Sequence, residues 1–267
     1  MRLRNWLAGV ALTALVVVGT VVPAFADTEA PVAAPNLPIA PTKATAVTGI
    51  PDPCVARFPW PVEASGTHIS NLMQKQYGIK LVGDGWTDPT YRPMVKIVWE
   101  TLDAVGCTDY LDQVKAKVEG NLVISAAPTR SWAWADWSLT RPGALTFDFA
   151  KWTQALDEED PGRLVRLVIH ELGHAYNVDR YEDPDYWTSF QGLYARQGKF
   201  SGYGHNDMET YADVIGYYVS RCAKDNPFNE SDFEGRNTAY YEWVKTFIFK
   251  GVEFGPHPGE PVDCSAS

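Results

Sequence analysis

The residues in this chain best suited to chemistry are His170-Glu171-Leu172-Gly173-His174. On an α-helix, positions four apart lie on one face, so both imidazoles can address a single divalent metal ion. Glu171 falls one position round from His170, where it can reach a water on the metal without ligating the metal itself. Gly173 lacks a side chain and lets another backbone come close. Two ligands are too few. Catalytic zinc usually takes three from the protein and leaves a fourth position for water.

The third ligand must come from elsewhere in the chain. One extended form of the motif places a glycine three residues past the second histidine and a ligand three further on. Those positions hold Asn177 and Arg180, and arginine does not ligate. Glu209 meets the need better, with Asp213 at i+4 on the same helical face. Glutamate there can ligate, while Asp213 can accept the free imidazole N–H of a zinc histidine and so fix its tautomer. The opposite allocation, Asp213 as ligand, leaves Glu209 without a task. His205 is a further candidate, as a ligand or as a border of the cleft. Chemically, zinc would polarise a water and a scissile carbonyl while Glu171 carries the water's proton to the leaving amine. A developing oxyanion needs a donor besides the metal, and Tyr203 and His205 stand in the loop Ser201-Gly202-Tyr203-Gly204-His205 to supply one.

These side chains need elements to hold them. Asp160-Pro161 is a good N-cap with proline at the first helical position, and the helix it starts is apolar nearly all round through Leu164, Val168, Leu172 and Ala175. Such a helix is predicted to be central and buried. A second buried helix is expected from Asn206 or Asp207 to Cys222, an amphipathic one over 232–249, and two more over 91–105 and 110–118. Residues 121–126 read as a strand. Leu145, Phe147 and Phe149 alternate with Thr146 and Asp148 as another, offering an edge against which an extended peptide can lie. Trp132, Trp134 and Trp137 are spaced to line a cleft or to pack in the core. The order of elements is that of an α+β fold.

The compartment is legible at the start of the chain. Arg2 and Arg4, an apolar stretch from Trp6 to Val22 and the small-x-small site Ala24-Phe25-Ala26 mark residues 1–26 as a signal peptide. Residues 27–53 are rich in Pro, Ala and Thr and read as a linker that builds no core. One domain is expected over 54–264. Four cysteines in an exported chain imply two disulfides, with Cys54–Cys107 and Cys222–Cys264 the favoured pairing of three. None is spaced C-x-x-C, which argues against a thiolate metal site. The net charge of −10 argues against nucleic acid or an anionic membrane surface as partner. A secreted monomer acting on a protein or peptide is expected.

The pairing of HExxH with a downstream E-x-x-x-acid helix, Glu209 to Asp213, resembles the gluzincin metallopeptidases of the thermolysin type. Glu209 followed by Gly216-Tyr217-Tyr218 is similar, more narrowly, to the lethal-factor-like zinc peptidases, over about residues 120–222. The resemblance implies a zincin-like domain: a small mixed sheet packed on a buried HExxH helix, with further helices after it. It also implies Zn2+ on His170, His174 and Glu209, and favours Tyr203 as the tyrosine over the metal. Two other functions share these motifs: a zinc hydrolase of cell-wall peptide or amide bonds, and a non-catalytic binding module keeping a structural zinc helix.

Overall fold

The helix that carries His170 and His174 lies between a small sheet and a second apolar helix, and the rest of the fold supports that sandwich. The computed structural model describes Ile50 and residues 57–264 apart from Ser131 and Phe233. The expected signal peptide, Cys54 and all of the 27–53 linker except Ile50 lie outside the described residues. Ile50, in a stretch expected to build no core, is buried in it.

The sheet has four strands: β1 (Lys80–Val82), β2 (Val123–Ala126), β3 (Ala135–Trp137) and β4 (Ala144–Phe147). Their order is β1-β2-β4-β3, with β1, β2 and β4 parallel and β3 antiparallel to β4. Leu145 and Phe147 are buried while Thr146 is not, as the alternation predicts. The strand stops there because Asp148 caps a helix, its carboxylate accepting from the Lys151 N–H at 3.3 Å. The edge expected on residues 145–149 is therefore corrected in two ways. Phe149 is helical, and β4 is paired on both sides; the sheet's edge strands are β1 and β3, and of these β3 borders the cleft.

Eight α-helices surround the sheet among the described residues: α1 (Gly66–Tyr77), α2 (Arg92–Ala104), α3 (Tyr110–Lys117), α4 (Phe149–Asp157), α5 (Pro161–Tyr176), α6 (Pro184–Gln197), α7 (Asp207–Val219) and α8 (Arg236–Phe247). The architecture is α+β. Asp160 caps α5 by accepting from the Arg163 N–H at 3.2 Å, and Asn206 caps α7 through the Glu209 N–H at 2.8 Å. Helix α7 ends three residues before the expected Cys222, since the Ser220 hydroxyl donates back to the Gly216 carbonyl as its backbone leaves the helical region. Helix α8 starts late, at a left-handed Gly235, with Asp232 capping its first turn from outside through the Asn237 and Thr238 N–H groups. No helix of the described residues is long and apolar enough to cross a membrane.

Two glycines set the spacing of α5 and α7. A Cβ on Gly216 would lie 2.9 Å from the Arg166 carbonyl oxygen, and one on Gly173 would lie 3.3 Å from the Ala212 Cα. Neither position accepts a larger residue without moving a backbone, so the two apolar helices meet closely where the polar residues of the site face each other. Val168, Leu172, Val214 and Ile215 are fully buried around that contact. At about 1.5–3 kcal/mol for each large aliphatic side chain, they stabilise the crossing.

Candidate metal centre

At the crossing, α5 contributes His170, Glu171 and His174, and α7 contributes Glu209 and Asp213. The two histidine Nε2 atoms are 3.2 Å apart. One oxygen of Glu209, Oε2, lies 3.3 Å from the first and 3.5 Å from the second. That oxygen is buried and makes no hydrogen bond. Three donor atoms converge on one point, and together they form a group able to hold a metal ion. Their separations match the edge of a tetrahedron, about 3.3 Å when ligand bonds are 2.0–2.1 Å long. The donor set fits a divalent ion of the zinc kind.

The far side of His170 is fixed as well. Its Nδ1 lies 2.9 Å from Asp213 Oδ1. Asp213 is fully buried, and burial alone would raise its pKa. The hydrogen bond and charge of His170, with Arg166 and Ser201, outweigh burial and hold it below the ordinary carboxylate range. An ionised Asp213 accepts, so a ring proton sits on Nδ1, and Nε2 is the ring atom that faces the cluster and would ligate a metal. Arg166, one turn before His170 on α5, donates to the same Oδ1 at 2.7 Å. Ser201 donates its hydroxyl to the other oxygen of Asp213, and its Oγ accepts from the N–H groups of Tyr203 and Gly204, each at 3.1 Å. The glycine-containing loop is thereby tied to the carboxylate that orients His170.

His174 is held from the sheet. The Trp137 ring of β3 stacks on it, with centroids 5.0 Å apart and planes within 15°. Trp132 and Trp137 border the cleft in front of the histidines, so the tryptophan spacing marks a wall of the site as well as packing. Burial acts on His170 and Glu209 in opposite senses to their partners. Desolvation would lower the His170 pKa, but its hydrogen bond to Asp213 and the nearby Glu209 carboxylate bring it up to about 9. Desolvation would raise the Glu209 pKa, but the two histidines hold it far below the usual range. Glu171 differs. Burial raises its pKa, only partly offset by the histidines, and Glu209 and Asp136 raise it further.

The cleft has a volume of about 870 Å³ and contains every site residue expected from sequence other than the buried Asp213. Tyr203 is half-exposed, its ring centroid 5.7 Å from that of His170. His205 is exposed and turned to the Tyr203 carbonyl, Nδ1 to oxygen 3.0 Å, which places it at the border and outside the metal group. Arg166, Ser201 and the contact of Trp137 with His174 were not anticipated. Arg166 had a signal, since it precedes His170 by four and so shares its face.

Cys222 and Cys264 form a disulfide with Cα atoms 5.8 Å apart. Cys107 has its expected partner, Cys54, outside the described residues. No protein-family model, curated protein or solved structure matches the chain, so its chemistry is read from this geometry.

Proposed function

We propose that the chain is a secreted zinc-dependent peptidase with a zincin-like catalytic domain of the gluzincin type. The reading is supported above all by the triangle of His170 Nε2, His174 Nε2 and Glu209 Oε2, with buried Glu171 beside it in an open cleft. A zinc ion held there would supply Lewis acidity to a water and to the scissile carbonyl. Glu171 takes the proton from the attacking water and passes it to the leaving amine. Its raised pKa suits both halves of that transfer, because a carboxylate nearer the working pH is the better base and the better acid in turn. Tyr203 stays neutral, since burial and then the charges of Glu209 and Glu171 raise its pKa, and its hydroxyl can donate to the oxyanion. The open side of β3 can align an extended peptide along the cleft. The Cys222–Cys264 disulfide supports an oxidising compartment outside the cytosol.

The test measures zinc content and casein hydrolysis in wild type and Glu171→Gln. Both are expected to carry one zinc per chain, with hydrolysis lower by a factor of about 10²–10⁴ in the variant. Zinc bound by both with no hydrolysis by wild type would leave a binding module in place of an enzyme.

A further inference from the structure

A second cavity of about 140 Å³ opens beside the metal group, on the side of the cleft where β3 faces the start of α5. It shares His170, Glu171 and Tyr203 with the main cleft, so a peptide lying across Glu171 would have a side chain next to its scissile bond pointing in. Ala133 and Ala135 keep one wall low, and Trp132 and Trp134 frame it. The polar groups are cationic. Arg166 lines the cavity with its Nη1 committed to Asp213 and its Nε buried without a hydrogen-bond partner. Arg163 lines it too, its guanidinium 4.3 Å from the Trp134 ring centroid and bridged on one side to Glu158 at 3.1 Å.

A guanidinium lining a cavity, with N–H groups beyond those its protein partners use, gains from a ligand's acceptor, and gains more from a charged one. The cavity holds one side chain of moderate size. Asp213, which balances Arg166, does not line the cavity, so the pocket itself presents the two guanidinium groups and the aromatic rings. Glu171 is the carboxylate among its lining residues, at the mouth where the scissile bond would lie.

We propose that this pocket is the specificity pocket of the chain and selects substrates with an acidic side chain, Glu or Asp, directly beside the cleaved bond. The proposal rests on the peptidase reading for the position of that bond, but the pocket's preference can be measured without cleavage. The probes are three hexapeptides identical except for Glu, Gln or Leu at one central position. Calorimetry measures their binding to zinc-loaded Glu171→Gln protein, and the same peptides are offered to the wild type for cleavage. The Glu peptide is expected to bind about ten-fold or more tightly than the Gln peptide, the difference a charge-assisted hydrogen bond makes. Adding Arg163→Gln, on a partly exposed side chain whose loss leaves the metal group untouched, should cut that preference several-fold. Equal binding of the Glu and Gln peptides, or tighter binding of the Leu peptide, overturns the proposal. Should the Glu preference stand while wild type cleaves none of the three and no casein, the pocket is retained and the peptidase reading is what fails.

Discussion

Asp213 holds three groups at once: His170 on one oxygen together with Arg166, and Ser201 on the other. Its substitution therefore separates ligation from orientation. Glu209→Gln removes a charged donor from the triangle and should weaken zinc binding most. Asp213→Asn keeps an acceptor near Nδ1 but loses the charge, and should lower zinc affinity by about 10–100-fold. Competition against a chelating dye ranks the two, and a larger loss in Asp213→Asn would make Asp213 the ligand. At this scale the sequence was highly informative where spacing along one helix does the work, as with His170 and His174, or Glu209 and Asp213. It was silent where distant segments meet. Ser201 reaches Asp213 only because the loop folds back over α7, and Trp137 reaches His174 only through the strand pairing of β3 with β4.

The crossing of α5 and α7 depends on Gly216, whose absent Cβ leaves room for the Arg166 carbonyl and for His170. Gly216→Ala would force the helices apart, at a cost of about 1–3 kcal/mol for overpacking. Because His170 and Glu209 lie on opposite sides of that gap, zinc affinity should fall along with the melting temperature. An alanine variant with unchanged affinity would show that the close approach does not set the ligand triangle. A second anchor is Asp148, at the junction of β4 and α4. Its carboxylate accepts from the Thr129 N–H at 2.9 Å and pairs with Lys151 at 3.2 Å, bracing the segment that leads into β3. Burial would raise its pKa, but the Thr129 and Lys151 contacts lower it. A depressed folded pKa gives stability that is complete above the unfolded value, near pH 4, and is lost as the pH falls through the folded one. Urea midpoints measured down the acid range should show a drop there that is smaller in Asp148→Asn; parallel curves would deny Asp148 that part. The same junction explains why residue alternation alone misplaced the sheet edge. Period-two burial shows that 144–147 is a strand with one buried face, but which neighbours pair with it is decided by chain crossings remote from it. Helices α1, α4 and α6 are not among the expected elements; for α4 the reason is local, since its first residue, Phe149, prolongs the alternation of Leu145 and Phe147 past the Asp148 cap.

On the scale of the whole molecule, the Cys222–Cys264 disulfide joins the end of α7 to the chain's tail across 42 residues. The enclosed segment contains α8 and returns to α7 through Arg221, which is fully buried and donates to the Pro256 carbonyl and to Asn229. Tyr218 of α7 likewise donates to the Val252 carbonyl at 2.7 Å. The order of the cysteines made this pairing one of three, and a tail that must be tied down favoured it; its packing against α7 was not readable, because the contacts come from residues without pattern. Closing a loop of that length removes unfolded-state entropy worth about 4 kcal/mol. For a domain of this size each kcal/mol moves the midpoint by about 2–4 °C, so the Cys222→Ser, Cys264→Ser double variant should melt on the order of 10 °C lower than wild type. The triangle of candidate metal ligands lies at the opposite end of α7, at Glu209 near its first turn, and the α5–α7 contact there does not use the disulfide. Zinc affinity measured well below the melting range should accordingly stay within about two-fold of wild type, since sites without shared partners behave additively. A midpoint unmoved by the double substitution would remove the disulfide from the sources of stability. A midpoint lowered together with zinc affinity would show instead that the tail and the metal group are held as one unit along α7.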